Sequence, residues 1–184
     1  GGGETAVLDW LDGVGINTAG MAFDDGSGLD YDNMVTARSI VDMQLHMLEQ
    51  PAGLHWERTF STAGVEGTLS GRLGGIDTLG RVFGKTGTLA DTIATSGILY
   101  SRHDGHRYVF SILFNDVTNS TTARGYCDSI VNAFAGDLRG NGVRPASPVL
   151  STVVNRGNGL VDVDWSSVGT ADGYAVWVST DGAW

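Results

Sequence analysis

Val82-Phe83-Gly84-Lys85-Thr86-Gly87-Thr88-Leu89 opens the segment that decides the fold. It lies in the first of three strand candidates in close order, Arg81–Leu89, Ile93–Ser101 and Arg107–Asn115. The last two are joined by the turn His103-Asp104-Gly105-His106. Connections this short imply antiparallel neighbours, since a parallel pair needs a long crossover. A helix follows from about Thr121 to Leu138. Ala123, Tyr126, Cys127, Ile130, Val131, Phe134 and Leu138 form one apolar stripe along it, and Gly140 suits its end. The expected architecture is therefore α+β, an antiparallel sheet covered by helices.

Upstream, Val7, Leu8, Leu11 and Val14 stand at helical spacing and predict a helix over Glu4 to Val14, stopped by Gly15. Asp24 to Asn33 is a loop by composition. Thr36 is the expected N-cap of a second helix with Ile40, Val41, Met43, Leu45, Met47 and Leu48 on its apolar face, ended by Pro51. Glycine punctuates the stretch from Ala63 to Gly80. Downstream, the composition changes at Arg144-Pro145-Ala146-Ser147-Pro148, an extended linker. Beyond it Val161, Val163 and Trp165 alternate with Asp162 and Asp164, and Tyr174, Val176 and Val178 alternate again. The expected domains are 1–142, a linker at 143–148, and a truncated β-sandwich over 149–184.

Charge narrows the partners. With 11 basic against 21 acidic residues and a formal net charge of -10, no cationic face for nucleic acid is available. No apolar run is long enough to span a bilayer. The chain opens Gly1-Gly2-Gly3-Glu4, without Met, which reads as the start of a fragment or a processed product. Cys127, the single cysteine, excludes an internal disulfide and any multi-cysteine metal site, and is expected to pack as a small apolar residue.

The chemistry concentrates in Lys85-Thr86-Gly87-Thr88. An ammonium with neighbouring hydroxyls can bind a peptide's terminal carboxylate through charge-assisted hydrogen bonds: Lys85 supplies the charge, Thr86 and Thr88 the hydroxyls. Gly87 lets a substrate backbone lie against the strand, and a strand edge offers free N–H and C=O groups to an added peptide. One such N–H, that of Thr88, is the candidate to face an oxyanion. The bland alternative is an ordinary solvent-facing lysine before a turn, and the tripeptide alone does not separate the two. Its strand–strand–strand–helix setting is the one that the Lys-Thr-Gly element of penicillin-recognising serine acyl-transferases requires.

Four blocks in order carry a resemblance to a known family. They are Asp24-Asp25-Gly26-Ser27-Gly28-Leu29 with Asn33-Met34-Val35-Thr36; Ala63-Gly64-Val65-Glu66-Gly67-Thr68-Leu69 with Arg72; the strand Val82 to Leu89; and Ser96-Gly97 with Tyr108 to Leu113 and Asn115. Residues 1 to about 140 resemble the C-terminal portion of the D-Ala-D-Ala carboxypeptidase/endopeptidases, peptidase family S13. The resemblance implies part of a β-lactamase/transpeptidase-like fold and a periplasmic or secreted parent. It also implies peptidoglycan stem peptides and β-lactams as partners, and no cofactor. The family's Ser-x-x-Lys and Ser-x-Asn motifs belong upstream of Asp24. Lys85 is the only lysine here, so no Ser-x-x-Lys pair exists in this chain and it is expected to be catalytically silent alone. By the same resemblance Lys85, Thr86, Gly87 and Thr88 are the substrate-binding and catalytic positions. The segments Val161 to Trp165 and Ala171 to Trp177 resemble the first strands of a fibronectin type III domain, with Trp165 the expected core tryptophan.

Other candidates carry less. Ser27 stands in Gly26-Ser27-Gly28, not in Gly-x-Ser-x-Gly, and reads as a turn residue. Asp24, Asp25, Asp30 and Asp32 fail the Ca²⁺-loop spacing and read as a solvated loop. His46, His55, His103 and His106 show no metal spacing; His46 is expected at the edge of the core and His103 and His106 in solvent. Two rival functions are a non-hydrolysing wall-binding relative and an adhesion or carbohydrate-binding role for the sandwich, through Trp165, Tyr174 and Trp177.

Overall fold

The computed structural model describes residues 2–103 and 105–137, together with the backbone of three further strands at 152–155, 161–164 and 175–180. Helices α1 (Gly2–Gly13), α2 (Ala37–Glu49) and α3 (Gly53–Glu57) precede a short strand β1 (Ser61–Thr62) and a single 3-10 turn, Gly67–Leu69. The long strands β2 (Val82–Thr88), β3 (Ile93–Tyr100) and β4 (Arg107–Phe114) then run to α4 (Ser120–Asp137), followed by β5 (Thr152–Asn155), β6 (Val161–Asp164) and β7 (Ala175–Thr180). The three expected strands and the closing helix are thus found within a residue or so of their predicted ends. Gly140, the expected helix stop, and the linker at 143–148 lie outside the described residues.

The sheet runs β1-β2-β3-β4-β7, antiparallel throughout. Within 149–184, β5 pairs with β6, whereas β7 pairs with β4, Tyr108 opposite Thr180. Both faces of the sheet are covered. On one, Val82, Ile93, Leu99, Phe110 and Ile112 pack with Ala123, Cys127, Ile130, Val131 and Ala135 of α4. On the other, Ile98 and Val109 pack with Val41 of α2, edged by Leu45, Leu48, Phe60 and Tyr100. Burying one such side chain is worth about 1.5–3 kcal/mol. That outweighs the roughly 1 kcal/mol lost at Gly125 in the interior of α4, so packing rather than propensity holds this helix.

The predicted stripes hold unevenly. Thr36 caps α2 as expected, its hydroxyl accepting from the Ser39 N–H at 3.0 Å. Of the predicted apolar face of α2 only Val41 is fully buried, and the other buried positions of the helix are Ala37, Ser39 and Gln44. In α4, Tyr126 stands at 48% exposure, on the rim of its stripe. In α1 only Leu11 is buried, while Val7 remains exposed, because nothing among the described residues covers that side of the helix.

One pinch in the sheet positions everything that follows. Gly84 and Gly97 face each other across β2 and β3. A Cβ on Gly97 would stand 2.2 Å from the Phe83 carbonyl oxygen and 2.8 Å from the Gly84 Cα. The hollow over this glycine pair receives Leu69, which is fully buried with its Cδ1 3.2 Å from where a Gly84 Cβ would be. The 3-10 turn is thereby pinned beside the strand that carries Lys85.

Candidate functional site

β1 covers only the first part of the outer edge of β2. Its register places Ser61 opposite Gly84 and Thr62 opposite Phe83, and no strand among the described residues pairs with Lys85 to Thr88 on that side. The phase of the edge follows from one bond. The Ala63 N–H donates to the Val82 carbonyl at 2.9 Å, so Val82 turns its polar groups outward. Alternation then turns the N–H and C=O of Gly84, Thr86 and Thr88 outward too, and those of Lys85 and Gly87 toward β3. The Leu89 N–H, bonded inward to the Thr92 carbonyl at 2.9 Å, agrees with that phase. The unpaired stretch therefore displays the backbone groups of Thr86 and Thr88.

The side chains arrange themselves around this edge. Lys85 is exposed, and its Nζ bends over the edge to donate to the Thr86 carbonyl at 2.6 Å. Lys85 belongs to the α2 side of the sheet, in a cross-strand row with Ser96 and Ser111. Thr86 and Thr88 belong to the α4 side. Thr86 Oγ1 donates to Thr68 Oγ1 at 2.9 Å, and Thr68 Oγ1 lies 3.2 Å from Ser61 Oγ. Arg124, in the first turns of α4, donates to Thr88 Oγ1 at 3.4 Å and brings a second cation to an otherwise acidic molecule. Gly87 packs flat, since a Cβ there would meet the Ala94 Cβ at 3.3 Å. At the far end of the edge the Ala90 N–H donates to the hydroxyl of Tyr31 at 3.2 Å, which brings the acidic loop of residues 24–33 alongside.

Behind the edge, Arg72 reaches Asp128 on α4 through Nε and Nη2, at 3.1 and 2.8 Å, and Nη2 also donates to Thr95 Oγ1 at 3.3 Å. Thr95 is fully buried and lies directly opposite Thr86 in the β2–β3 register. This partly buried pair locks the segment before β2, the strand β3 and α4 into one body. Burial pushes the neighbouring Cys127 thiol up to about 11, against weaker opposing effects from the Thr95 hydrogen bond and the Arg72 charge. Cys127 is free and buried, a packing residue as the sequence suggests.

All four sequence-predicted positions, Lys85 through Thr88, thus share one open edge. Thr68, Arg124 and Tyr31 were not singled out by sequence reasoning for this place. They are brought to β2 by a pinned turn, a helix and a loop, and the contact each makes with β2 joins distant segments and so leaves no short-range pattern. Ser27 and the acidic loop serve local structure. The hydroxyl of Ser27 and the amide of Asn33 both donate to Asp25 and hold its carboxyl below the usual range, while the Asn33 Oδ1 accepts from the Asp24 N–H at 2.8 Å. His46 meets Trp10 edge to face at 5.5 Å, at the margin of the core. His103 and His106 are exposed as expected, and the His103 Nε2 also lies 2.8 Å from Asp77 Oδ1, tying the β3–β4 hairpin to the turn before β2. No three His, Cys, Asp or Glu side chains converge as a metal site among the described residues, and no described helix is long and apolar enough to cross a membrane.

Residues 2–135 match the model of the D-Ala-D-Ala carboxypeptidase 3 (S13) family. A D-alanyl-D-alanine carboxypeptidase of an Actinomadura species is 38% identical over 100 residues, 52% of this chain and 19% of the relative. The carboxypeptidase DacB of Mycolicibacterium smegmatis is 33% identical over 147 residues, 77% of this chain and 30% of the relative. Penicillin binding protein 4 of Haemophilus influenzae superposes with a TM-score of 0.65 at 25% identity, over 71% of this chain and 31% of that one. A second structure of that protein, complexed with a β-lactam, superposes with a TM-score of 0.63. The chain spans between a fifth and a third of the length of these relatives.

Proposed function

The chain belongs to the D-Ala-D-Ala carboxypeptidase 3 (S13) family, and from that premise we propose that it is the carboxylate-binding part of a serine carboxypeptidase acting on peptidoglycan stem peptides. The observation that carries the reading is the open β2 edge, where Lys85, Thr86 and Thr88 stand together with the outward N–H groups of both threonines. A stem peptide adds along this edge as a further strand. Its terminal carboxylate is held by Lys85 and the hydroxyls of Thr86 and Thr88, with Gly87 leaving room for its backbone.

By family resemblance the nucleophile is a serine upstream of this chain, in a Ser-x-x-Lys motif. Its Oγ attacks the carbonyl carbon of the penultimate D-Ala, and the Thr88 N–H stabilises the oxyanion that forms. The C–N bond then breaks, and D-Ala leaves as the amine after taking up a proton. Water attacks the acyl-ester, releasing the shortened peptide and restoring the serine hydroxyl. A β-lactam enters the same edge through its own carboxylate; the serine opens its ring amide, and the amine stays tethered. The substrate places the parent in the periplasm or outside the cell. For residues 149–184 the alternation of Val161, Val163 and Trp165 supports a fibronectin type III-like reading.

The test is covalent labelling of the full-length protein by a fluorescent penicillin, wild type against Lys85→Ala. Losing a charge-assisted hydrogen bond of about 1.5–3 kcal/mol predicts labelling slower by roughly ten- to a hundredfold. Folded wild-type protein that takes no label would overturn the enzyme reading and favour a non-hydrolysing wall-binding relative.

A further inference from the structure

Thr86 faces a conflict that the structure itself resolves. Its hydroxyl has one proton, and without ligand that proton is given to Thr68 Oγ1 at 2.9 Å. A carboxylate arriving at the edge needs the same proton. Thr68 is not a casual neighbour. It is exposed on the same edge, while Leu69 beside it is fully buried in the hollow over Gly84 and fixes its position. Its N–H donates to Ser61 Oγ at 3.1 Å, and its hydroxyl lies 3.2 Å from the same oxygen. Gly67 makes this approach possible. It sits at φ +64, and a Cβ there would stand 2.3 Å from Ser61 Oγ.

We propose, resting on the carboxypeptidase reading above, that Thr68 is a positioning residue for carboxylate-ended ligands. Ser61, Thr68 and Thr86 form a chain of three hydroxyls whose protons rotate in concert when the ligand binds. Thr86 turns its proton to the ligand carboxylate, Thr68 turns its own to Thr86, and Ser61 donates to Thr68 while still accepting the Thr68 N–H. No bond other than hydrogen bonds is made or broken. The aligned chain polarises each member toward the anion, so the donor that Thr86 offers is stronger than an isolated hydroxyl. A ligand ending in an amide carries no full charge and gains little from the chain, so Thr68 contributes to selectivity for a free terminus.

The experiment compares Thr68→Val and Thr68→Ser with wild type in the full-length protein. Penicillin labelling rates are read together with hydrolysis of an acyl-D-Ala-D-Ala peptide and of its C-terminal amide. Thr68→Val keeps the branched shape and removes the hydroxyl. It is expected to lower penicillin labelling about tenfold and to raise KM for the free acid by a similar factor, with kcat less affected. Amide hydrolysis should change less than twofold, and Thr68→Ser should restore wild-type behaviour. Equal losses on acid and amide, or no loss on either, would refute the role of Thr68 while leaving the carboxypeptidase reading intact. A wild type that neither labels nor hydrolyses the peptide would overturn that reading, and this inference with it.

Discussion

Gly97→Ala is the substitution whose outcome the structure dictates most sharply. The glycine is not at positive φ, so alanine can adopt its backbone conformation. By itself the change would favour folding by about 0.4–1 kcal/mol, through a stiffer unfolded chain. Space decides otherwise. The new Cβ would stand 2.2 Å from the Phe83 oxygen and 2.8 Å from the Gly84 Cα, both backbone atoms that cannot rotate away. Favourable carbon–carbon separations are about 3.5–4.0 Å, so β2 would have to retreat from β3 by close to an ångström at Gly84. Overpacking of this kind costs about 1–3 kcal/mol, which exceeds the entropic gain. The full-length protein should therefore melt at a lower temperature than wild type. The displacement falls on the residue before Lys85, and misplacing a binding group by an ångström can slow a reaction by about a hundredfold. Thermal unfolding and fluorescent penicillin labelling test the two halves separately. A Gly97→Ala protein that melts with wild type and labels at the wild-type rate would refute the claim that the glycine pair sets the position of the Lys85 edge.

Two further expectations concern α4. Burial raises the Cys127 thiol from 9.0 to about 11, so the folded state keeps the proton longer than the unfolded chain does. The associated stability is fully present below pH 9 and is lost as pH rises through about 11, up to about 2–3 kcal/mol. Urea unfolding at pH 8 and pH 10.5 should show a smaller alkaline loss in Cys127→Ala than in wild type, and identical slopes would contradict the assignment. Gly125 is exposed within α4, and a Cβ there meets nothing within 4 Å. Gly125→Ala should therefore stabilise the protein by about 1 kcal/mol in the same unfolding assay, and a loss of stability would show a packing role for this glycine.

Much of this protein was legible in its sequence because the decisive signals are local. Three strand candidates in close order, joined by short connections, mark β2, β3 and β4, and a stripe at helical spacing defines α4. Thr36 announces its cap by its own chemistry. Lys85 to Thr88 are adjacent in the chain, so a single strand carries all four to the same edge. Other features depended on contacts between distant segments. Alternation at Val176 and Val178 marks a strand but not which edge it joins, and β7 takes the edge of β4. A helical stripe does not reveal whether another element will cover it, so α1 buries only Leu11. Spacing could not place Thr68 against Thr86, because that contact passes through Leu69 seated over the Gly84–Gly97 pair. Nor could it bring Arg124 to Thr88 or Arg72 to Asp128 and Thr95. Short-range pattern thus determined the elements and the strand that bears the chemistry. Packing of side chains far apart in the chain decided which neighbours that strand acquired, since excluded volume and hydrogen-bond geometry are settled only when the layers close on one another.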